Sequence, residues 1–181
     1  MPNWKHWSSF VAYGHGFPSL QELHVQKCKH LIGNLPSSLP SLKLLHIYQC
    51  RSLQIQFQDM MHYTELQTMH ITNSCDSLTF FPVDLANRVE NLQIQDCSHL
   101  KCTEISKDLC QELKFLQDLD ISDCDHLEFF SGIGMQTPNL TSLSLSNCKN
   151  LGSMQEQTHT LLTSLQALCL SYCPKLESFP N

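Results

Sequence analysis

Apolar residues along the chain return in one twelve-position frame, L-x-x-L-x-(I/L/V)-x-x-C-x-x-L, which occurs seven times. It reads Leu20-Leu23-Val25-Cys28-Leu31, Leu42-Leu45-Ile47-Cys50-Leu53, and Leu66-Met69-Ile71-Cys75-Leu78 with one residue inserted before the cysteine. The later copies are Val89-Leu92-Ile94-Cys97-Leu100, Leu116-Leu119-Ile121-Cys124-Leu127, Leu140-Leu143-Leu145-Cys148-Leu151 and Leu165-Leu168-Leu170-Cys173-Leu176. From its fourth position each copy alternates apolar with other residues, the period-two pattern of a half-buried strand. First positions are separated by 22, 24, 23, 27, 24 and 25 residues. Such a period predicts one strand per turn, always running in the same direction.

No single copy can bury its own apolar side, so the pattern is stable only as a stack. The period lies in the range of leucine-rich repeats. The fold expected is therefore an α/β repeat, a leucine-rich repeat solenoid of about seven repeats. A curved parallel β-sheet would form its concave face, with irregular or short helical segments on the convex side. Residues 1–19 read as an N-terminal flank, the end of a preceding repeat, and 20–181 as the array. Each buried aliphatic contributes roughly 1.5–3 kcal/mol. Return segments carry Leu35-Pro36, Phe81-Pro82 and Phe179-Pro180, and Phe130 takes the same place as Phe81 and Phe179. These phenylalanines are expected to stack as an apolar spine. The longest return, Ser106 to Phe115, fits a short helix N-capped by Ser106, with Leu109, Leu113 and Leu116 on one stripe. Neither end carries the polar cap a solenoid normally needs, which points to a segment of a larger protein or a truncated relative of one.

Composition narrows the possible partners. Among 181 residues 41% are hydrophobic and 15% charged, a foldable chain. A formal charge of −6 argues against nonspecific binding to nucleic acid or anionic membrane. No apolar run approaches the ~18–20 residues that span a bilayer, and the opening Met1-Pro-Asn-Trp-Lys-His-Trp7 lacks the form of a secretory signal. Of ten cysteines, seven hold the same place in the repeat. Side chains on a ladder run parallel and do not face each other, so seven in a row cannot all pair. They read as reduced structural thiols, small, readily buried and weak hydrogen-bond donors, which implies a reducing compartment. Cys102, Cys110 and Cys169 lie off the ladder and are the more reactive candidates.

Two further details narrow the class. The cysteine is followed by x-x-L and then by Leu-Pro or aromatic-Pro, as in Cys28-Lys-His-Leu31 to Leu35-Pro36 and Cys173-Pro-Lys-Leu-Glu-Ser-Phe-Pro180. The opening runs Met1-Pro-Asn-Trp4-Lys-His-Trp7, then Phe17-Pro-Ser-Leu20-Gln-Glu-Leu23, then Leu35-Pro-Ser-Ser-Leu-Pro-Ser-Leu42. Over essentially its whole length this resembles the leucine-rich repeat region of plant intracellular disease-resistance proteins, the NLR receptors with a coiled coil and an NB-ARC nucleotide-binding switch domain. The resemblance implies a non-catalytic recognition module. Its partners would be a pathogen effector, or a host protein the effector alters, and the NB-ARC domain of the parent receptor, which it would restrain. Location would be cytoplasmic, with nucleus or membrane periphery reached through that parent. The chain has no G-x-x-x-x-G-K-[ST] and no coiled-coil heptads, so ATP binding is not carried over and no cofactor is expected. An F-box-type leucine-rich repeat adaptor in ubiquitination is the rival reading, because it too places a cysteine after the strand. Its more regular repeats, with Cys-x-x-Ile/Leu-Thr-Asp and convex helices, are not seen here.

Candidate binding residues are those that alternate away from the core. One position per repeat yields His24, His46, His70, Gln93, Asp120, Ser144 and Cys169. Three histidines ~4.8 Å apart have the types for a metal site or a pH-sensitive strip, but polar side chains on a sheet surface are the commoner meaning, and no metal is expected. Glu90, Asp96, Asp118, Asp120 and Asp123 are expected to face the concavity, with Asp125 at its edge, a patch suited to a basic partner. Tyr48 and Tyr172 are the aromatic anchors. Three Cys-x-His pairs, at Cys28, Cys97 and Cys124, should diverge, the cysteine inward and the histidine outward. No Ser/His/Asp order, Gly-rich phosphate loop or paired carboxylate cleft is found, so no enzyme is expected. Seven rungs at ~4.8 Å and five residues at ~3.3 Å make a strip on the order of 500 Å². A standard stable interface takes roughly 800 Å² per partner, so weak binding by the strip alone is expected.

Overall fold

Each motif copy becomes a strand where its alternation begins. The computed structural model describes residues 4–7, 17–36, 38–55, 62–79, 88–101, 111–112, 114–128, 135–152 and 162–178. Seven five-residue strands form one parallel sheet: β1 (Glu22–Gln26), β3 (Leu44–Tyr48), β5 (Thr68–Thr72), β6 (Asn91–Gln95), β8 (Asp118–Ser122), β10 (Ser142–Ser146) and β11 (Ala167–Ser171). The order in the sheet is the order in the sequence, as a solenoid requires. Short pairs lie off it: β2 (Gly33–Asn34) beside β4 (Leu53–Gln54), and β7 (Gln111–Glu112) beside β9 (Met135–Gln136). This is the expected leucine-rich repeat solenoid, a parallel-strand stack with almost no helix among its described residues.

Register follows the motif letter by letter. Leu23, Leu45, Met69, Leu92, Leu119, Leu143 and Leu168 stand opposite one another on successive strands, as do Val25, Ile47, Ile71, Ile94, Ile121, Leu145 and Leu170. From the second through the sixth of these strands both rows are buried. Leucines before and after the strand, such as Leu42, Leu53, Leu100, Leu116 and Leu151, complete one continuous core with the cysteines. A slip of one residue would expose both rows at once, which is why the register is so strongly specified.

The turn that ends each strand needs a left-handed residue. Lys27, Gln49, Asn73, Asp96, Asp123, Asn147 and Tyr172 have φ between 46° and 55°. Asparagine and aspartate tolerate that conformation best and supply four of these positions. The payoff is a hydrogen bond across the stack: Lys27 N–H donates to Tyr48 O at 2.8 Å, Gln49 to Thr72 at 3.0 Å, and Asp123 to Ser146 at 3.0 Å. Trp4 and Trp7 pack on each other at 4.8 Å against the first rung, and His6 bridges to Ile32.

Two expectations are corrected. A helix over 106–115 cannot run through Gln111–Glu112, which forms strand β7. There the backbone gains partners from the neighbouring return at Met135–Gln136, and a second rung's hydrogen bonds outweigh the local helical pattern. The part of that segment at 102–110, with Ser106 and Leu109, lies outside the described residues, as do Leu113 and the phenylalanines at 81, 130 and 179. The second correction concerns Cys75. The ladder place two residues after the strand belongs to Ser74 in this repeat, not to the cysteine. Ser74 is buried, its hydroxyl donates to Thr72 O at 2.7 Å, and it accepts Cys50 N–H at 2.9 Å. Cys75 keeps only the backbone role, its carbonyl accepting Leu78 N–H at 2.7 Å. The inserted residue thus divides between two positions what one cysteine does elsewhere.

The open face of the sheet and a family assignment

The thiol ladder builds the wall on which the face rests. Cys50 Sγ donates to Tyr48 O at 3.3 Å and Val25 O at 3.4 Å, one carbonyl on its own rung and one on the rung before. Cys97, Cys124, Cys148 and Cys173 repeat the pair of contacts. Burial pushes the Cys97 thiol up to about 11 against the pull of the Ser74 backbone N–H. Burial likewise pushes Cys148 up to about 11, against the Cys124 N–H, and raises Cys50, Cys75 and Cys124. A thiol so placed stays protonated and inert. All eight described cysteines are free; Cys169 is exposed, while Cys102 and Cys110 lie outside the described residues.

Alternate residues of the same strands form the open face. His24, His46 and His70 follow one another in register, His46 lying between the other two with ring centroids 5.7 and 5.8 Å away and rings near perpendicular. Burial lowers the pKa of His46, reinforced by His70 and His24. Burial also lowers that of His70, which Asp120 opposes. Tyr48 stands 6.4 Å from His46. The row continues through Gln93, Asp120, Ser144 and Cys169. Edge-to-face rings do not converge their nitrogens on one point, and no group of three or more His, Cys, Asp or Glu among the described residues is placed to hold a metal ion. The histidines of the Cys-x-His pairs, His30, His99 and His126, are exposed while their cysteines are buried.

The acidic group divides by position. Asp118 and Asp120 lie on β8, whereas Glu90 precedes β6 and Asp96 and Asp123 occupy the left-handed turns, so those three stand at the borders of the strip. Their charges are more supported than the sequence suggests. Gln93 Nε2 donates to Asp120 Oδ2 at 3.1 Å, Gln95 Nε2 to Asp123 Oδ2 at 3.2 Å, and Asn147 Nδ2 to Asp123 Oδ1. Asp125, one turn further out, pairs with Lys149 at 2.7 Å. Asp120 Oδ1 is buried with no hydrogen bond from a described residue, a cost of about 1–3 kcal/mol in the middle of the face. Tyr172, 85% exposed, sits in the last turn, far enough along the stack that it shares no rung with Tyr48. These amide props could not be read from the sequence, since they join residues 24 to 28 positions apart.

No family model matches the chain. Comparison with curated proteins is more informative. The chain is 35% identical over 159 residues to disease resistance RPP13-like protein 1 of Arabidopsis thaliana. It is 36% identical over 186 aligned residues to a second disease resistance protein of the same plant. The alignments cover 87% and 88% of this chain but 15% and 13% of those relatives, so the chain spans about a seventh of their length. With a repeat, a register and a cysteine ladder that agree with the resemblance, the chain belongs to the leucine-rich repeat region of plant disease-resistance (NLR) proteins.

Proposed function

We propose that this array is a non-catalytic protein-recognition module in plant defence, and that the open face of its sheet carries the specificity. The relatives are disease resistance proteins by name, which supports the defence role. One observation carries the assignment to the face. On the inner strands the alternate residues, Leu44 apart, are polar or aromatic and stand clear of the core, and their central row changes from histidine through Gln93 and Asp120 to Ser144, while their inward neighbours are nearly uniform. Uniform packing with a variable outer row is how a repeat scaffold holds a recognition surface. The partner would be a pathogen effector or a host protein altered by one. Within a longer receptor the same array would restrain the NB-ARC switch until recognition, in a reducing, cytoplasmic setting. Asp118 and the open acceptor on Asp120 favour a partner that brings a cation to the middle strands.

The test is co-precipitation from plant extract. It compares the native chain with an Asp118→Lys/Tyr172→Ala variant, both sites being exposed. A partner lost in the variant, with folding intact by circular dichroism, is the expected result. An unchanged partner set would remove these two residues from recognition, and loss on substituting an exposed residue of a return segment instead would move the site off the sheet.

A further inference from the structure

The rim beside the first three strands carries a cleft that the recognition reading does not use. It encloses about 510 Å³ and is lined by Lys29, Gln49, Arg51, Ser52, Asn73 and Asp76. Lys29 and Arg51 each follow the ladder cysteine of their repeat, so they stand on adjacent rungs, about 4.8 Å apart in the stack. At the same place on later rungs the residues are Asp125 and Lys149, which neutralise each other at 2.7 Å. Lys29 and Arg51 are instead like charges on adjacent rungs; Asp76 holds the same place on the next rung, its N–H donating to Arg51 O at 2.9 Å, but no carboxylate of a described residue lies within ion-pair distance of either cation. With one carboxylate to two cations the cleft keeps a net positive charge, which an anion would offset.

The third turn shapes the far wall. Its extra residue gives it two left-handed positions, Asn73 and Cys75, where other turns have one. Asn73 Oδ1 accepts from Arg51 Nε at 2.7 Å, which orients the guanidinium and engages only one of its three nitrogens. Both terminal nitrogens carry no hydrogen bond to a described residue, leaving the planar fork that matches two oxygens of one anion. We propose that this cleft is a binding site for a tetrahedral oxyanion of the phosphate type. Arg51 binds it in bidentate fashion, and Lys29 and the Gln49 amide supply further donors. Asp76 sets the strength: one carboxylate against two cations leaves the cleft positive but holds affinity for a simple anion in the weak range. The cleft's chemistry is the same for a free phosphate and for one carried on a side chain of a docked protein. Nothing in this depends on the open face of the sheet, so either reading can fail without the other.

The experiment is a titration of the isotopically labelled 181-residue chain with sodium phosphate, followed by amide chemical shifts at constant ionic strength. Saturable shifts confined to Gln49, Arg51, Ser52 and Asn73 are expected. Arg51→Gln should weaken the response about tenfold or more, and Asp76→Asn should tighten it about threefold by removing a nearby like charge. A phosphoserine peptide and its unphosphorylated form make the second arm. Tighter binding of the phosphopeptide than of inorganic phosphate identifies a protein-borne group, and equal or weaker binding identifies the free anion; both uphold the site. Linear shifts that sodium chloride reproduces, or retention of binding in Arg51→Gln, would overturn it. Because Asp76→Asn is expected to gain affinity, a folding defect cannot imitate the result.

Discussion

Ser74 shows at the scale of one residue what the thiols do elsewhere. Its hydroxyl accepts the N–H of Cys50 on the preceding rung and donates to the carbonyl of Thr72 on its own. Removing it leaves a buried N–H without a partner, so Ser74→Ala should cost about 1–3 kcal/mol in denaturant unfolding. Ser74→Cys should cost less, since a thiol fills this role on the other rungs. A second residue effect lies on the histidine row. His46 and His70 have pKa values lowered below the ordinary 6.5, chiefly by burial. The folded state therefore binds fewer protons there than the unfolded state, and stability rises with pH in that range. The stabilisation is complete above about pH 6.5 and is lost as pH falls toward the folded values. The melting temperature should drop between about pH 7 and pH 5.5, and His46→Gln should flatten that slope. An unchanged slope in the variant would assign the titration to other groups.

At the scale of the element, the same motif letter carries different weight on different strands. Leu143 of β10 is 1% exposed, flanked by β8 and β11, whereas Leu168 of β11 is 43% exposed because it has a neighbour on one side only. Leu143→Asp would bury a carboxylate without a counter-charge and should unfold the array, costing more than about 4 kcal/mol. Leu168→Asp should lower the unfolding free energy by less than about 1 kcal/mol. Circular dichroism and denaturant titration of the two variants decide this, and equal losses would mean that the strands do not stack as described. The turns obey the same logic: position and not residue type sets the demand for a left-handed backbone, which is why Lys27, Gln49 and Tyr172 adopt it beside the more tolerant Asn73, Asp96, Asp123 and Asn147.

For the whole molecule, the ladder makes stability sensitive to alkali. Five thiols, Cys50, Cys75, Cys97, Cys124 and Cys148, are raised above their ordinary 9.0. Their contribution is fully present below about pH 9 and is lost as pH rises toward the folded values, because the unfolded chain releases those protons first. Chemical unfolding at about pH 8 and pH 10 should show a fall on the order of 1 kcal/mol for each of Cys97 and Cys148. Alkylation tests the same burial at neutral pH. Of the eight described cysteines, Cys169 should be modified first and the interior ladder thiols only on unfolding; rapid labelling of Cys124 in the native chain would contradict the core. Among the described residues no helix is long and apolar enough to cross a membrane.

How much of this was legible beforehand depends on distance along the chain. The repeat, the parallel sheet, its register and the inward cysteines follow from the sequence alone, because burial in a stack imposes one periodic requirement on every turn. The row His24, His46, His70, Gln93, Asp120, Ser144 was legible for the same reason: whatever alternates away from a periodic core must share the other side. Three things were decided only by the tertiary structure. Ser74 takes the ladder place from Cys75 because the inserted residue leaves two contenders, and only the neighbouring rung selects the one whose donor and acceptor both fit. Gln111–Glu112 extends as a strand because a partner strand more than twenty residues away supplies its hydrogen bonds. The charges of Asp120 and Asp123 are propped by Gln93, Gln95 and Asn147, since side chains on adjacent rungs are neighbours in space while a whole repeat of sequence separates them.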